Sequence, residues 1–165
     1  MNHRFPAAFA ALLLLPFQAA AGGDTVPLFE KGTSTYYVEV DVHGAGRLDF
    51  LVDTGSTYSV IDEATLDALE RRDLATFVTR VGGTMADGRR RLVPIYSIAA
   101  LDIGGRCRLR DVQVAVLPGR ERAILGVRAL KRAAPFVMSV DPPSLRLGNC
   151  GGREAAAAAE RPAPS

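Results

Sequence analysis

Between residues 35 and 147 the chain is mostly short runs in which apolar and polar positions alternate, and two stretches interrupt them with a helical spacing. Tyr36, Val38, Val40 and Val42 alternate with Tyr37, Glu39 and Asp41, the period of a strand with one buried face. Residues 43–46 (His-Gly-Ala-Gly) supply a turn. Residues 47–52 return as a second strand ending on Asp53, so the pair reads as a hairpin. Helical spacing begins at Asp62, which caps a predicted helix over residues 62–72. There Leu66 and Leu69 share one face, and Asp67 lies one turn from Arg71.

Residues 76–81 and 89–96 are predicted strands. Between them runs Gly82-Gly83-Thr84-Met85-Ala86-Asp87-Gly88, in which Asp87-Gly88 is a hairpin-turn signal. Residues 98–103 form a separate strand closed by Gly104-Gly105. In residues 107–117, Val112, Val114 and Val116 alternate with Asp111, Gln113 and Ala115. After a Pro118-Gly119-Arg120 turn come a brief apolar strand at residues 123–125, one or two helical turns at 127–132, and last strands at 136–140 and 144–147. Many short strands with little helix predict an all-β domain, a closed or nearly closed barrel.

The ends read differently. Arg4, an apolar run over residues 7–17 and Ala19-Ala20-Ala21 have the layout of a secretion signal cut after residue 21. A retained anchor is the alternative, although the run is short for a span and is broken by Pro16 and Gln18. Residues 22–34 read as a polar linker, 35–150 as the folded domain, and the Ala-, Pro- and charge-rich residues 151–165 as a disordered tail.

Composition narrows the function classes. The 165 residues are 48% hydrophobic and 23% charged, which suits one compact domain. A net charge of +2 and the absence of Trp offer neither a basic field nor the usual stacking surface for nucleic acid. Cys107, Cys150, His3 and His43 make no metal-ligand pattern, and no cofactor motif is present. In an oxidising compartment Cys107 and Cys150 can bridge within the chain, remain free or link two chains, and spacing does not choose among these. Arg89-Arg90-Arg91 reads first as a solvated strand edge that discourages sheet-to-sheet pairing, with attraction of acidic substrates or a membrane surface as alternatives.

The chemistry concentrates in Phe50-Leu51-Val52-Asp53-Thr54-Gly55-Ser56-Thr57-Tyr58-Ser59-Val60-Ile61. One apolar run delivers a carboxylate into a turn and a second apolar run follows, so the Asp stands at the edge of a core. Gly55 lets backbone N–H groups approach the carboxylate, and Thr54 and Ser56 add hydroxyl donors. Taken alone, Asp-Thr-Gly-Ser is also an ordinary strand-end turn.

This segment resembles the active-site loop of the retropepsin-like aspartic proteases, the single-lobed relatives of retroviral proteases. Ala123-Ile124-Leu125-Gly126-Val127-Arg128-Ala129-Leu130 resembles the second signature of that family, and residues 141–147 resemble the closing strand of its bacterial members. The resemblance covers roughly residues 35–148. It implies that Asp53 is catalytic, that Thr54, Gly55 and Ser56 support it, and that Ile124, Leu125 and Gly126 brace the loop from behind. It also implies that Gly82, Gly83, Thr84, Met85, Ala86, Asp87 and Gly88 form a flap over bound peptide. Two departures stand out. Val127-Arg128-Ala129 is basic and small where relatives are often polar or acidic and then large, and no terminal strands of the retroviral type are recognisable.

One such Asp per chain implies a homodimer in which each copy lends a carboxylate. Asp49, Asp87, Asp102, Asp111 and Asp141 lack a comparable setting, with Asp102 and Asp111 read as solvent-facing strand positions. The expected function is an exported aspartic endopeptidase acting on peptides without metal or cofactor, periplasmic if the source is Gram-negative and otherwise secreted. It binds no nucleic acid and keeps no membrane span after signal cleavage. The alternative is a catalytically weak module of the same fold that binds or assembles in the cell envelope.

Overall fold

The structure is a computed structural model that describes residues 23–32, 34–84, 88–119 and 122–151. The expected signal segment, the loop tip Met85-Ala86-Asp87 and the expected tail from residue 152 onward lie outside the described residues.

The described strands are β1 (Asp24–Pro27), β2 (Phe29–Glu30), β3 (Tyr36–Val42), β4 (Gly46–Asp53), β5 (Ser59–Asp62), β6 (Ala75–Thr84), β7 (Arg90–Ile103), β8 (Cys107–Leu117), β9 (Ile124–Gly126), β10 (Phe136–Val140) and β11 (Pro143–Leu147). Helix α1 (Glu63–Glu70) follows β5, and α2 (Val127–Arg132) follows β9. The larger sheet runs β2-β3-β4-β9-β5-β8-β7-β6, and β3 also pairs with β7. That extra pairing, Val40 opposite Ile103 and Val42 opposite Leu101, closes β3, β4, β9, β5, β8 and β7 into a ring. Closure removes the open edges that a flat sheet would expose. The expected closed β-barrel with two short helices is therefore present. Among the described residues no helix is long and apolar enough to cross a membrane.

Alternation builds the barrel core. Val38, Val40 and Val42 of β3 are fully buried while Glu39 and Asp41 are exposed. Across the hairpin Phe50 is equally buried, opposite Val38. The turn between them holds Gly44 and Gly46 at φ +97°, a region that residues with a Cβ rarely occupy. Helix α1 starts where expected, with Asp62 Oδ1 accepting a hydrogen bond from the Thr65 N–H at 2.8 Å, and it buries Leu66 and Leu69 against the barrel.

Two expectations are corrected. The presumed linker contains β1 and β2: Asp24 pairs with Leu147 and Val26 with Leu145 in a small sheet ordered β1-β11-β10, while Phe29 pairs with Tyr37. Val26 and Leu28 are buried, so this segment contributes to the core despite its polar composition. The separate strands at 89–96 and 98–103 are one strand, β7. Its apolar phase slips because Val93 and Ile95 pack in a small outer cluster with Val60 and Ala115, whereas Ile98, Leu101 and Ile103 face the main core. β8 pairs along it in one register from Ile95–Ala115 to Ile103–Cys107, skipping Ala99 and Asp111, where Asp111 takes φ +49°. Cys107 and Cys150 are joined in a disulfide that ties the start of β8 to the segment after β11.

Candidate active site

Asp53 is the last residue of β4 and pairs in parallel register with Gly126 of β9. The chain then forms the 54–58 loop and returns as β5 on the other side of β9, where Val60 lies opposite Ile124. The loop therefore straddles β9, and Ile124, Leu125 and Gly126 lie behind it. Leu125 is fully buried.

Backbone hydrogen bonds lock the two segments together. The Val127 N–H donates to the Ser56 carbonyl at 2.8 Å and the Arg128 N–H to the Thr57 carbonyl at 3.1 Å. Amides at the start of α2, which have no acceptor within the helix, thus find one in the loop. Gly126 allows the close approach: a Cβ there would stand 2.3 Å from the Tyr58 carbonyl oxygen.

The Asp53 carboxylate is half-buried and both its oxygens are engaged. Oδ1 accepts from the Gly55 N–H at 2.8 Å, and Oδ2 accepts from Ser56 Oγ at 2.8 Å. Hydrogen bonds to an ionised acceptor are stronger than neutral ones and fix its orientation. Thr54 and Gly55 are exposed at the surface of the loop. No group of three or more His, Cys, Asp or Glu side chains among the described residues is arranged to hold a metal.

Beside the loop lies a cleft of about 450 Å³. Residues 55–58 line one side and Val81, Gly82, Gly83 and Thr84, at the end of β6, line the other; Val60, Val93, Ala115 and Leu117 give it an apolar wall. Gly82, Gly83 and Thr84 thus face the Asp53 loop across the cleft. Gly88 resumes the hairpin at φ +79°.

Two contacts were not read from the sequence. Ser59, only 1% exposed, accepts a hydrogen bond from the Gly126 N–H through its Oγ at 3.2 Å. A hydroxyl opening the buried run Ser-Val-Ile was the available signal, since buried polar groups almost always have partners. Arg128 donates to the Tyr58 hydroxyl at 2.9 Å with its guanidinium carbon 4.8 Å from the ring centroid, so the basic residue that departs from the family pattern holds the wall of the cleft.

The other aspartates stand elsewhere. Asp49 pairs with Lys31 at 2.6 Å. Asp111 is exposed, with its backbone at φ +49°. Asp102 differs from the solvent-facing expectation: it is partly buried, and its Oδ1 is enclosed without a hydrogen-bond partner among the described residues.

Comparison with known proteins agrees with this geometry. No curated protein matches the chain. Among solved structures, it is similar to a retropepsin-like aspartic protease from Rickettsia conorii, with a TM-score of 0.55 and 16% identity over 76% of this chain and 91% of that one. It is also similar to the retroviral protease-like domain of Ddi1 from Leishmania major, with a TM-score of 0.51 and 16% identity over 72% and 91%. At such identity these structures speak for the fold. The family profile described as aspartyl protease matches residues 38–129, which include the Asp53 loop and the bracing strand β9. The chain therefore belongs to the aspartyl protease family, with a retropepsin-like fold.

Proposed function

We propose that the chain is an exported aspartic endopeptidase that works as a homodimer. The observation that carries this reading is the Asp53 carboxylate, held by the Gly55 N–H and Ser56 Oγ beside an apolar cleft. One carboxylate is half of the machinery for peptide hydrolysis. A second copy related by a two-fold axis supplies the other half, with Thr54 and Gly55 exposed at the seam.

Two carboxylates brought together do not both ionise, so they share one proton. The ionised member takes a proton from a water molecule as its oxygen bonds to the scissile carbonyl carbon. The protonated member gives its proton to the carbonyl oxygen, leaving a tetrahedral diol. Collapse of the diol breaks the C–N bond as a proton passes to the amine nitrogen. Residues 82–88 act as a flap that excludes bulk water during these steps. Export rests on the signal-like residues 1–21, and the periplasm is the destination in a Gram-negative source.

The test is peptide-library digestion by the unaltered chain and by Asp53→Asn. The expected result is cleavage by the first and none by the second, with fold and association unchanged. Equal cleavage by both, or unaltered cellular function of Asp53→Asn, points instead to a module that binds or assembles without cutting. N-terminal sequencing of the exported protein separates a cut signal from a retained anchor.

A further inference from the structure

The β6–β7 hairpin has two faces, and its register assigns each arginine to one of them. Gly83 lies opposite Arg91 and Val81 opposite Val93. Residues directly opposite in an antiparallel pair share a face, as do alternate residues along a strand. Residues 81–84 all border the cleft, but burial separates the two faces: Val81, Gly83 and Val93 are covered while Gly82, Thr84 and Leu92 are exposed, so Arg91 shares the covered face, one alternate position nearer the tip than Val93. Arg90 and Leu92 belong to the opposite face, where Leu92 is 74% exposed. Arg91 is exposed and has no hydrogen-bond or ion-pair partner among the described residues. A cation with no partner among the described residues thus shares the face of the apolar wall, just beyond the residues that line the cleft.

We propose that Arg91 is a specificity-determining residue that receives a glutamate or aspartate side chain of the substrate, selecting acidic peptides that carry an apolar residue close to the acidic one. This rests on the protease reading above. A guanidinium and a carboxylate form two parallel, charge-assisted hydrogen bonds, which a neutral glutamine side chain does not match. In a two-fold dimer the same preference recurs on each side of the scissile bond.

The experiment uses two peptides that differ only in Glu or Gln flanking an apolar cleavage site, at low salt and pH 6. The proteins are the unaltered chain, Arg91→Gln, and Arg90→Gln as the opposite-face control. The expected Glu-to-Gln ratio in kcat/KM is about fivefold or more for the unaltered chain and Arg90→Gln, and near one for Arg91→Gln. The ratio should also approach one below about pH 4, where the peptide glutamate is protonated. A ratio near one in the unaltered chain, or one that survives in Arg91→Gln, overturns the proposal. Calorimetric binding of the same peptides to Asp53→Asn keeps the two readings apart. Preferential binding of the Glu peptide without cleavage by the unaltered chain sinks the protease reading and leaves Arg91 recognition standing. Binding or cleavage of both peptides alike sinks the Arg91 assignment alone, and absence of both activities overturns both.

Discussion

Gly126 lies so close to Tyr58 that a methyl group in place of its hydrogen would stand 2.3 Å from the Tyr58 carbonyl oxygen. This approach lets β9 run beneath the loop that carries Asp53, with Asp53 and Gly126 in register. Gly126→Ala must push the 54–58 loop outward. The expected cost is about 1–3 kcal/mol of stability, because backbone rather than a flexible side chain has to move. Urea unfolding measures it, and peptide cleavage should fall further than the stability loss alone accounts for.

Ser56→Ala removes one of the two donors that orient the Asp53 carboxylate. A hydrogen bond to a charged group contributes about 1.5–3 kcal/mol, so kcat/KM is expected to drop by about tenfold or more while the fold persists. Ser56→Thr keeps the hydroxyl and should recover part of the loss. Equal activity of all three proteins would show that Gly55 alone sets the carboxylate.

The Cys107–Cys150 disulfide spans a sequence separation of 43. Chain-entropy reasoning gives a contribution of about 4 kcal/mol for such a loop. Urea titration with and without reductant, and of Cys150→Ser, is expected to show a loss of this order at most. The loss concerns stability, since the bridge joins β8 to the segment after β11 and neither cysteine lines the cleft beside Asp53.

Asp62→Ala deletes the side-chain cap of α1, leaving the Thr65 N–H without the acceptor it now has at 2.8 Å. The expected destabilisation is about 1 kcal/mol. Asp62→Asn should cost less, because an amide oxygen still accepts.

Dilution tests the dimer. If each copy lends one carboxylate, specific activity should fall as protein concentration drops through the dissociation constant. Mixing with excess Asp53→Asn should suppress activity by forming hybrids. Specific activity that stays constant at every dilution would argue against a shared site.

Much of this architecture can be read along the chain. The valines of β3, the Asp62 cap and the apolar runs around Asp53 are local patterns, visible because covalent neighbours enforce them. Their physics needs only a few residues at a time. What stayed hidden depends on distant partners. β1 and β2 sit in a polar stretch where, among the described residues, Val26 and Leu28 are the buried anchors, and β1 finds its strand partner near residue 147. β7 reads as two strands because its covering changes from one cluster to another along its length. Ser59 and Arg128 act on segments far away in sequence, and their contacts appear only once β9 is threaded beside the loop. Asp102 reads as a surface residue from its strand position, yet packing encloses one of its oxygens.

The pairing of Asp24 with Leu147 has a consequence for biogenesis. The earliest described strand, β1, docks onto one made more than a hundred residues later, so vectorial synthesis leaves its edge bare until β11 has emerged. A nascent chain is thereby denied its three-stranded sheet until residues 143–147 have been made.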